Sequence, residues 1–408
     1  MNLSQEEKAM SKGELGEAVK WAINHQIEVG NFFDAEDFVP VSNVHMMVDP
    51  ESVGIAGVEF FENLVKMNAK VRVPMITDPR GVDLDYYRPL GQTEEMADIE
   101  RRTIKACSSM GILMTNTCVN YQTIMAPLYG EHLAYGDTGV VIYSNSVCGA
   151  RSNFEGGPSA LAAGLTGRTP RYGLHLDEKR KPTKIFTIKY EPNELTDWGL
   201  IGALIGKMCG SYWEVPIIEG INKIPTSDEI KHFGAAMASY GSTPLFHIKG
   251  ITPEADNFNS NDLKDLNYIE IKSTDINSLK AEFGKKGDKI DVVVFAAPQL
   301  SIFEMQKVAE LCHDKIFKVP VLVCTSPQVY SDALRMNLIN QIENSGAKVL
   351  QGTCFYNQFA REIGIANGWV RLLSNSTKIV NILGGYGYKP ALANMENCIL
   401  SAVEGKLL

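Results

Sequence analysis

From residue 291 onward, short apolar runs alternate with amphipathic stretches about 30 residues apart, the period of a βαβ unit, and this alternation limits the possible architecture more than any other feature of the chain. The run 291–297, Asp-Val-Val-Val-Phe-Ala-Ala, reads as a strand closed by Pro298, and Ser301-Ile-Phe-Glu304 is a capping box that opens a helix running through His313. A second strand follows over 319–324, then one helix over 328–344 ended near Gly346, then a third strand over 348–351. Crossovers of this kind are right-handed and give a parallel sheet, so functional residues belong just past the carboxyl ends of the strands. Thr325, Ser326, Thr353 and Cys354 hold such positions. Neither GxGxxG nor GxxxxGK[ST] follows a strand, which leaves a nucleotide cofactor without support.

Upstream of this region the signals are separate. Ser4 and Glu7 form another capping box, and Thr93-Glu-Glu starts a helix that carries Cys107 before Gly111 stops it. The small-residue stretch 156–167, opened by Pro158, predicts a tightly buried helix. Lys179, Arg180, Lys181 and Lys184, with Pro182 among them, read as a solvated loop between domains. Three subdomains are expected, approximately 1–180, 181–290 and 291–408.

Hydrophobic residues make up 45% and charged residues 21%, which describes a folded globular protein rather than a disordered or fibrous one. The net charge of −9 supplies no general attraction to nucleic acid or anionic lipid. No window approaches about 18 uncharged apolar residues, and the start lacks the basic and apolar regions of a signal peptide, so a cytoplasmic protein is expected. Eight cysteines without a CxxC pair point to thiols, or to a metal site assembled from distant loops.

Cys118 and Cys354 are flanked by polar residues beyond apolar runs, a setting that suits a metal ligand or a nucleophile as well as a packed thiol. Cys148, between Asn145 and Asn153, is a third candidate. Cys107, Cys209, Cys312 and Cys398 read as packing, and Cys324 fits either role. His45 is a lone histidine, and Asp78 and Arg80 put opposite charges in a turn. Arg151 and Asn153 precede a glycine-rich helix start where a carboxylate could be held. Ser374-Asn-Ser-Thr-Lys378 suits either an anion site or an ordinary helix cap.

Taken in order, Ser42-Asn-Val-His45, Asp78-Pro-Arg80, Thr117-Cys118, Gly130-Glu-His-Leu-Ala134, Asn145 to Gly167, Cys324-Thr-Ser326, Thr353-Cys354 and Ser374 to Lys378 resemble the large catalytic chain of the aconitase X family over nearly the whole length. The resemblance implies an α/β fold, an aconitase-like multi-subdomain arrangement of mostly parallel sheets flanked by helices, without the small swivelling domain. It further implies an iron–sulfur hydro-lyase acting on a small hydroxy acid. Its catalytic residues would be His45, Asp78 and Arg80, and its substrate ligands Asp49, Asp137, Thr138, Asn145, Arg151, Asn153, Ser374, Asn375 and Lys378. Its cluster, [4Fe-4S] or [2Fe-2S], would sit on Cys118, Cys148 and Cys354. The family often has Gly-Cys-Pro-His where this chain has Ala296-Ala-Pro-Gln299, so Cys148, with Cys324 behind it, is the expected replacement ligand.

Asp49 stands where phosphomevalonate enzymes resemble Gly-Val-Ser, and it would repel a phosphate. The expected substrate is therefore cis-3-hydroxy-L-proline. Mevalonate 5-phosphate and a cluster-free binding or scaffold subunit are the alternatives. The chain ends at Leu408, which leaves no residues for a swivelling domain of roughly 130 residues, so a separate small subunit bringing a serine base is expected as partner.

Overall fold

A computed structural model describes residues 1–408. Its fourteen strands are β1 (Phe38–Pro40), β2 (Val44–Met46), β3 (Met75–Thr77), β4 (Ala134–Tyr135), β5 (Arg168–Pro170), β6 (Lys184–Lys189), β7 (Pro216–Glu219), β8 (His247–Ile248), β9 (Asn267–Lys272), β10 (Val292–Leu300), β11 (Val321–Thr325), β12 (Ala347–Gln351), β13 (Arg371–Ser374) and β14 (Lys389–Leu392). They form a three-stranded sheet in the order β3-β2-β4, a four-stranded sheet β8-β7-β6-β9 and a five-stranded sheet β12-β11-β10-β13-β14. Every pairing within these three sheets is parallel, and only the small β1-β5 pair is antiparallel. The expected α/β class is the one observed.

The central strand β10 shows why the alternating pattern was informative. All nine of its residues are buried, as a parallel strand covered by helices on both faces requires. The strand also differs from expectation, because it continues through Pro298 to Leu300, with Ala297 at φ 55° and a register shift between Phe295 and Leu300. The Ser301–Glu304 capping box and its helix, Ile302–Cys312, form as the spacing predicts. The expected helix over 328–344 is instead two, Pro327–Arg335 and Leu338–Glu343, separated at Asn337, which adopts a left-handed conformation that asparagine tolerates and helix interiors do not.

The small-residue stretch forms the buried helix Gly157–Thr166, ended by Gly167 at φ 74°. The basic run 177–184 is solvated at Lys179 and Lys181, as expected of a loop, but anchored at Arg180. Arg180 is 2% exposed, its guanidinium pairs with Glu254 and its Nη2 donates to Asn145 O at 3.0 Å, so the segment is bolted into the junction it was expected to span loosely. The β6-to-β9 sheet was not expected element by element, because the outer strand β9 is largely exposed and reads as polar. Two helices of that region, Leu195–Cys209 and Ser227–Gly241, pack with glycine against backbone: a Cβ added at Gly202 would meet Phe233 O, and one at Gly206 would meet Met237 O. No helix is long and apolar enough to cross a membrane.

Candidate functional site

The β3-β2-β4 sheet and the five-stranded sheet bring the ends of their strands together. His45 lies within β2, and Asp49, Asp78 and Asp137 follow β2, β3 and β4 by one to three residues. From the other sheet come Gln299 near the end of β10, Thr353 and Cys354 after β12, and Asn375 to Lys378 after β13. The two edges are tied directly, since Arg80 N donates to Gly352 O at 2.7 Å and Arg80 Nη2 to Gln351 O at 3.0 Å.

At the centre the Cys118 and Cys354 thiols hydrogen-bond to each other, 3% and 1% exposed. Burial pushes Cys118 up, but the bond to Cys354, the Lys378 ammonium and the Gln299 backbone N–H together hold it below the ordinary thiol value. Cys354 is driven well above that value by burial and by the bonded Cys118. The result is one sulfur predisposed to be thiolate and one to keep its proton. Lys378 Nζ stands 3.6 Å from Asp137 Oδ2 and 5.3 Å from the Tyr356 ring centre. Burial opposes its charge, yet Asp137 and the two thiols more than offset that. Asp137 also caps the Thr138–Ser146 helix through the N–H groups of Gly139 and Val140, at 2.8 and 3.0 Å, which places Thr138 at the first helical position.

His45 is held neutral by burial, and its Nε2 meets Thr117 O at 2.8 Å. A carbonyl only accepts, so Nε2 carries the hydrogen and Nδ1 presents a lone pair. That Nδ1 has no protein partner. The same holds for Asp49 Oδ2, Asp78 Oδ2, Arg80 Nε, Thr353 Oγ1 and Asn357 Oδ1, all buried. Buried polar atoms are normally satisfied, and these unpaired ones come from the segments 45–49, 78–80 and 353–357, which makes a polar ligand the natural occupant. Burial pushes Asp49 up to about 6, and burial with the neighbouring Asp49 charge pushes Asp78 well up. A cavity of about 860 Å³ is lined by other residues, among them Gln122, Asp228, Ser301 and Gln328. Here the chemistry of the lining is a better guide than volume.

Other candidates lie elsewhere. The Asn145 amide is used up between Ser152 and Pro244. The Arg151 guanidinium bonds to Asp177 and His175 O, and Asn153 joins Tyr172 O, Leu174 N and Tyr212. Arg151 and Asn153 thus fasten the 172–177 segment, Asn145 ties Ser152 to Pro244, and the hydrogen bonds of all three are spent away from the thiol pair. Ser374 Oγ accepts from Ser376 N at 3.2 Å, and Asn375 O accepts from Thr196 at 3.0 Å, so the turn that delivers Lys378 is rigid. Cys148 is half-buried, its thiol pushed to about 11 by burial, and no group of three or more His, Cys, Asp or Glu side chains gathers around the pair. Cys324 is buried, pushed by that burial to about 12, and is the thiol whose charge the pair feels. The bonded Cys118 and Cys354 thiols, with Cys324 close enough to feel their charge, are donors of the kind an iron–sulfur centre takes.

Gln299 was missed. Fully buried, it accepts from Cys118 N through Oε1 at 3.2 Å and donates its own N–H to Cys118 Sγ at 3.4 Å. Its Nε2 reaches Asn116 O, Thr325 O and Thr353 O at 3.1 to 3.3 Å. A glutamine closing an otherwise apolar strand was the signal available.

Comparison with known proteins agrees with this geometry. Profiles described as Aconitase X first, second and third domain match residues 1–178, 182–281 and 290–404. The phosphomevalonate dehydratase large subunit of Methanocaldococcus jannaschii is 33% identical over 93% of this chain and 94% of its own. The chain belongs to the aconitase X family. The cis-3-hydroxy-L-proline dehydratase of Pseudomonas aeruginosa is 27% identical, over 98% of this chain and 70% of that enzyme. The crystal structure of Thermococcus kodakaraensis aconitase X in its holo form superposes with a TM-score of 0.90 at 30% identity, covering 98% of this chain and all of that one. This aconitase X chain is accordingly a hydro-lyase, a dehydratase of the aconitase superfamily.

Proposed function

We propose that this chain dehydrates a small hydroxy acid that carries an ammonium group, with cis-3-hydroxy-L-proline as the substrate to test first. The observation that carries the reading is the buried pair Asp49 and Asp78, each with an unpartnered oxygen and each raised by burial. Two such carboxylates favour a cation and oppose a phosphate. Lys378 and the unpartnered Nε of Arg80 are the groups suited to the substrate carboxylate. Elimination removes a proton from the carbon beside the carboxylate and hydroxide from the next carbon. Neutral His45, with Nδ1 free and Nε2–H fixed on Thr117, is the group in this chain able to take up a proton.

An iron–sulfur centre on Cys118 and Cys354 would supply a Lewis acid for the leaving hydroxyl. A small partner chain, as the name "large subunit" indicates for the relatives, would close the site and bring the initiating base. The second reading, mevalonate 5-phosphate, is favoured by the higher identity, 31 to 34%, of four archaeal phosphomevalonate dehydratase large subunits.

The test is a parallel assay of the complex on both compounds, following ring-imine formation from the hydroxyproline. Preference for hydroxyproline, lost in Asp78→Asn, is expected; preference for the phosphate would establish the second reading. Iron and sulfide analysis of anaerobically purified protein should show both elements, with visible absorbance lost in Cys118→Ser and Cys354→Ser, and full iron in both variants would remove the cluster from this site.

A further inference from the structure

Behind the site lies a charge that the reading above does not use. Lys231, on the Ser227–Gly241 helix, is 1% exposed. Its Nζ pairs with Glu304 and stands 3.0 Å from Asp228 Oδ1, while His232 Nε2 lies 2.7 Å from the other Glu304 oxygen. Burial favours a neutral amine, but the two carboxylates outweigh it, and Glu304 is held down to about 2 despite its own burial. An ammonium this enclosed spends its donors on fixed acceptors. The third acceptor here is Gln299 O, at 3.4 Å.

Gln299 is the residue that grips Cys118 at both its N–H and its sulfur. The same cluster reaches the Cys118 loop by a second route, because Gln122, four residues further on, donates to Asp228 Oδ1 at 2.9 Å and Ser227 Oγ at 2.8 Å. Ser301, two residues after Gln299, is pinned as well: its Oγ donates to Asp228 at 2.7 Å and its N–H to Glu304 at 2.9 Å. One buried cluster therefore holds both segments that meet at the Cys118 sulfur.

We propose that Lys231 is a positioning residue for Cys118, acting through Gln299 and, with Asp228, through Gln122. The proposal rests on the reading that Cys118 belongs to the reaction centre only for its effect on turnover; the mechanical coupling stands apart from it.

Hydrogen exchange of the intact protein tests the coupling. In Lys231→Met, amides over 116–123 should exchange at least about tenfold faster while those of β11 and β12 stay within about twofold, because a local opening is read segment by segment. Lys231→Arg, which keeps the charge, should restore protection. Gln122→Ala should loosen the same segment to a smaller extent. If Lys231→Met does not fold, the double variant Lys231→Met/Glu304→Gln removes the pair together and is read in the same way. Unchanged exchange over 116–123, or an equal rise across all three sheets, would overturn the proposal. In turnover assays kcat should fall with KM retained; a wild-type protein without dehydratase activity would count against the function assigned above and leave the exchange result to decide the coupling.

Discussion

Asp49 is poised against the stability of its own fold. It caps the Pro50–Lys66 helix, accepting from Ser52 N at 2.9 Å, yet its second oxygen is buried without a partner and its pKa is pushed to about 6. A carboxyl raised in the folded state binds protons more tightly there than in the unfolded chain, so its ionisation opposes folding. The penalty, about 3 kcal/mol for a rise of roughly two pKa units, is fully present above pH 6 and vanishes below about pH 4. Asp49→Asn keeps the helix cap and removes the charge. It should raise the urea midpoint at pH 7.5, with the gain shrinking toward pH 4, while substrate binding is lost; a variant no more stable than wild type at pH 7.5 would refute the account. At this scale Cys118 and Cys354 were legible from polar flanks beyond apolar runs, whereas His45 and Asp78, a lone histidine and a turn carboxylate, were singled out only by the family resemblance. Arg151 and Asn153 have equally suggestive side chains, but the path of the 172–177 segment, which no local pattern encodes, consumes their hydrogen bonds, as Ser152 and Pro244 consume those of Asn145.

Among the elements, the helix pair of the second sheet carries the most exacting contact. Leu195–Cys209 and Ser227–Gly241 approach so closely that a Cβ at Gly206 would strike Met237 O, and backbone cannot move aside as a side chain can. Gly206→Ala should cost about 1 to 3 kcal/mol, the usual range for overpacking. Gly384→Ala, at a helical φ of −56° with open space around it, should be neutral or stabilising by up to about 1 kcal/mol. Urea unfolding of the two variants tests the contrast, and equal midpoints would contradict it. The capping boxes at Ser4 and Ser301 and the buried helix after Pro158 were readable because each signal is local. The left-handed break at Asn337 and the passage of β10 through Pro298 were not, since tertiary packing decides both.

For the molecule as a whole, the site is assembled across two sheets and buttressed from the third region, with the thiol pair almost wholly enclosed. In the function proposed above, the groups gathered here bind the substrate, while the side chain that starts the elimination comes from the small partner chain. Closing a reaction over a buried centre and excluding water from it are tasks that a mobile domain performs well. A partner suited to this role would bury on the order of 1,200 to 2,000 Å². We therefore expect the 408-residue chain alone to be nearly inactive, to capture one small chain during co-purification, and to gain turnover by about a hundredfold or more once that chain is supplied, as positioning effects of this kind commonly allow. Titrating the small chain against a fixed amount of the large one should bring activity to saturation at a fixed stoichiometry, with a matching shift in size-exclusion elution. Full turnover by the large chain alone would place the initiating base within it, and the neutral, half-bonded His45 would then be the first residue to test.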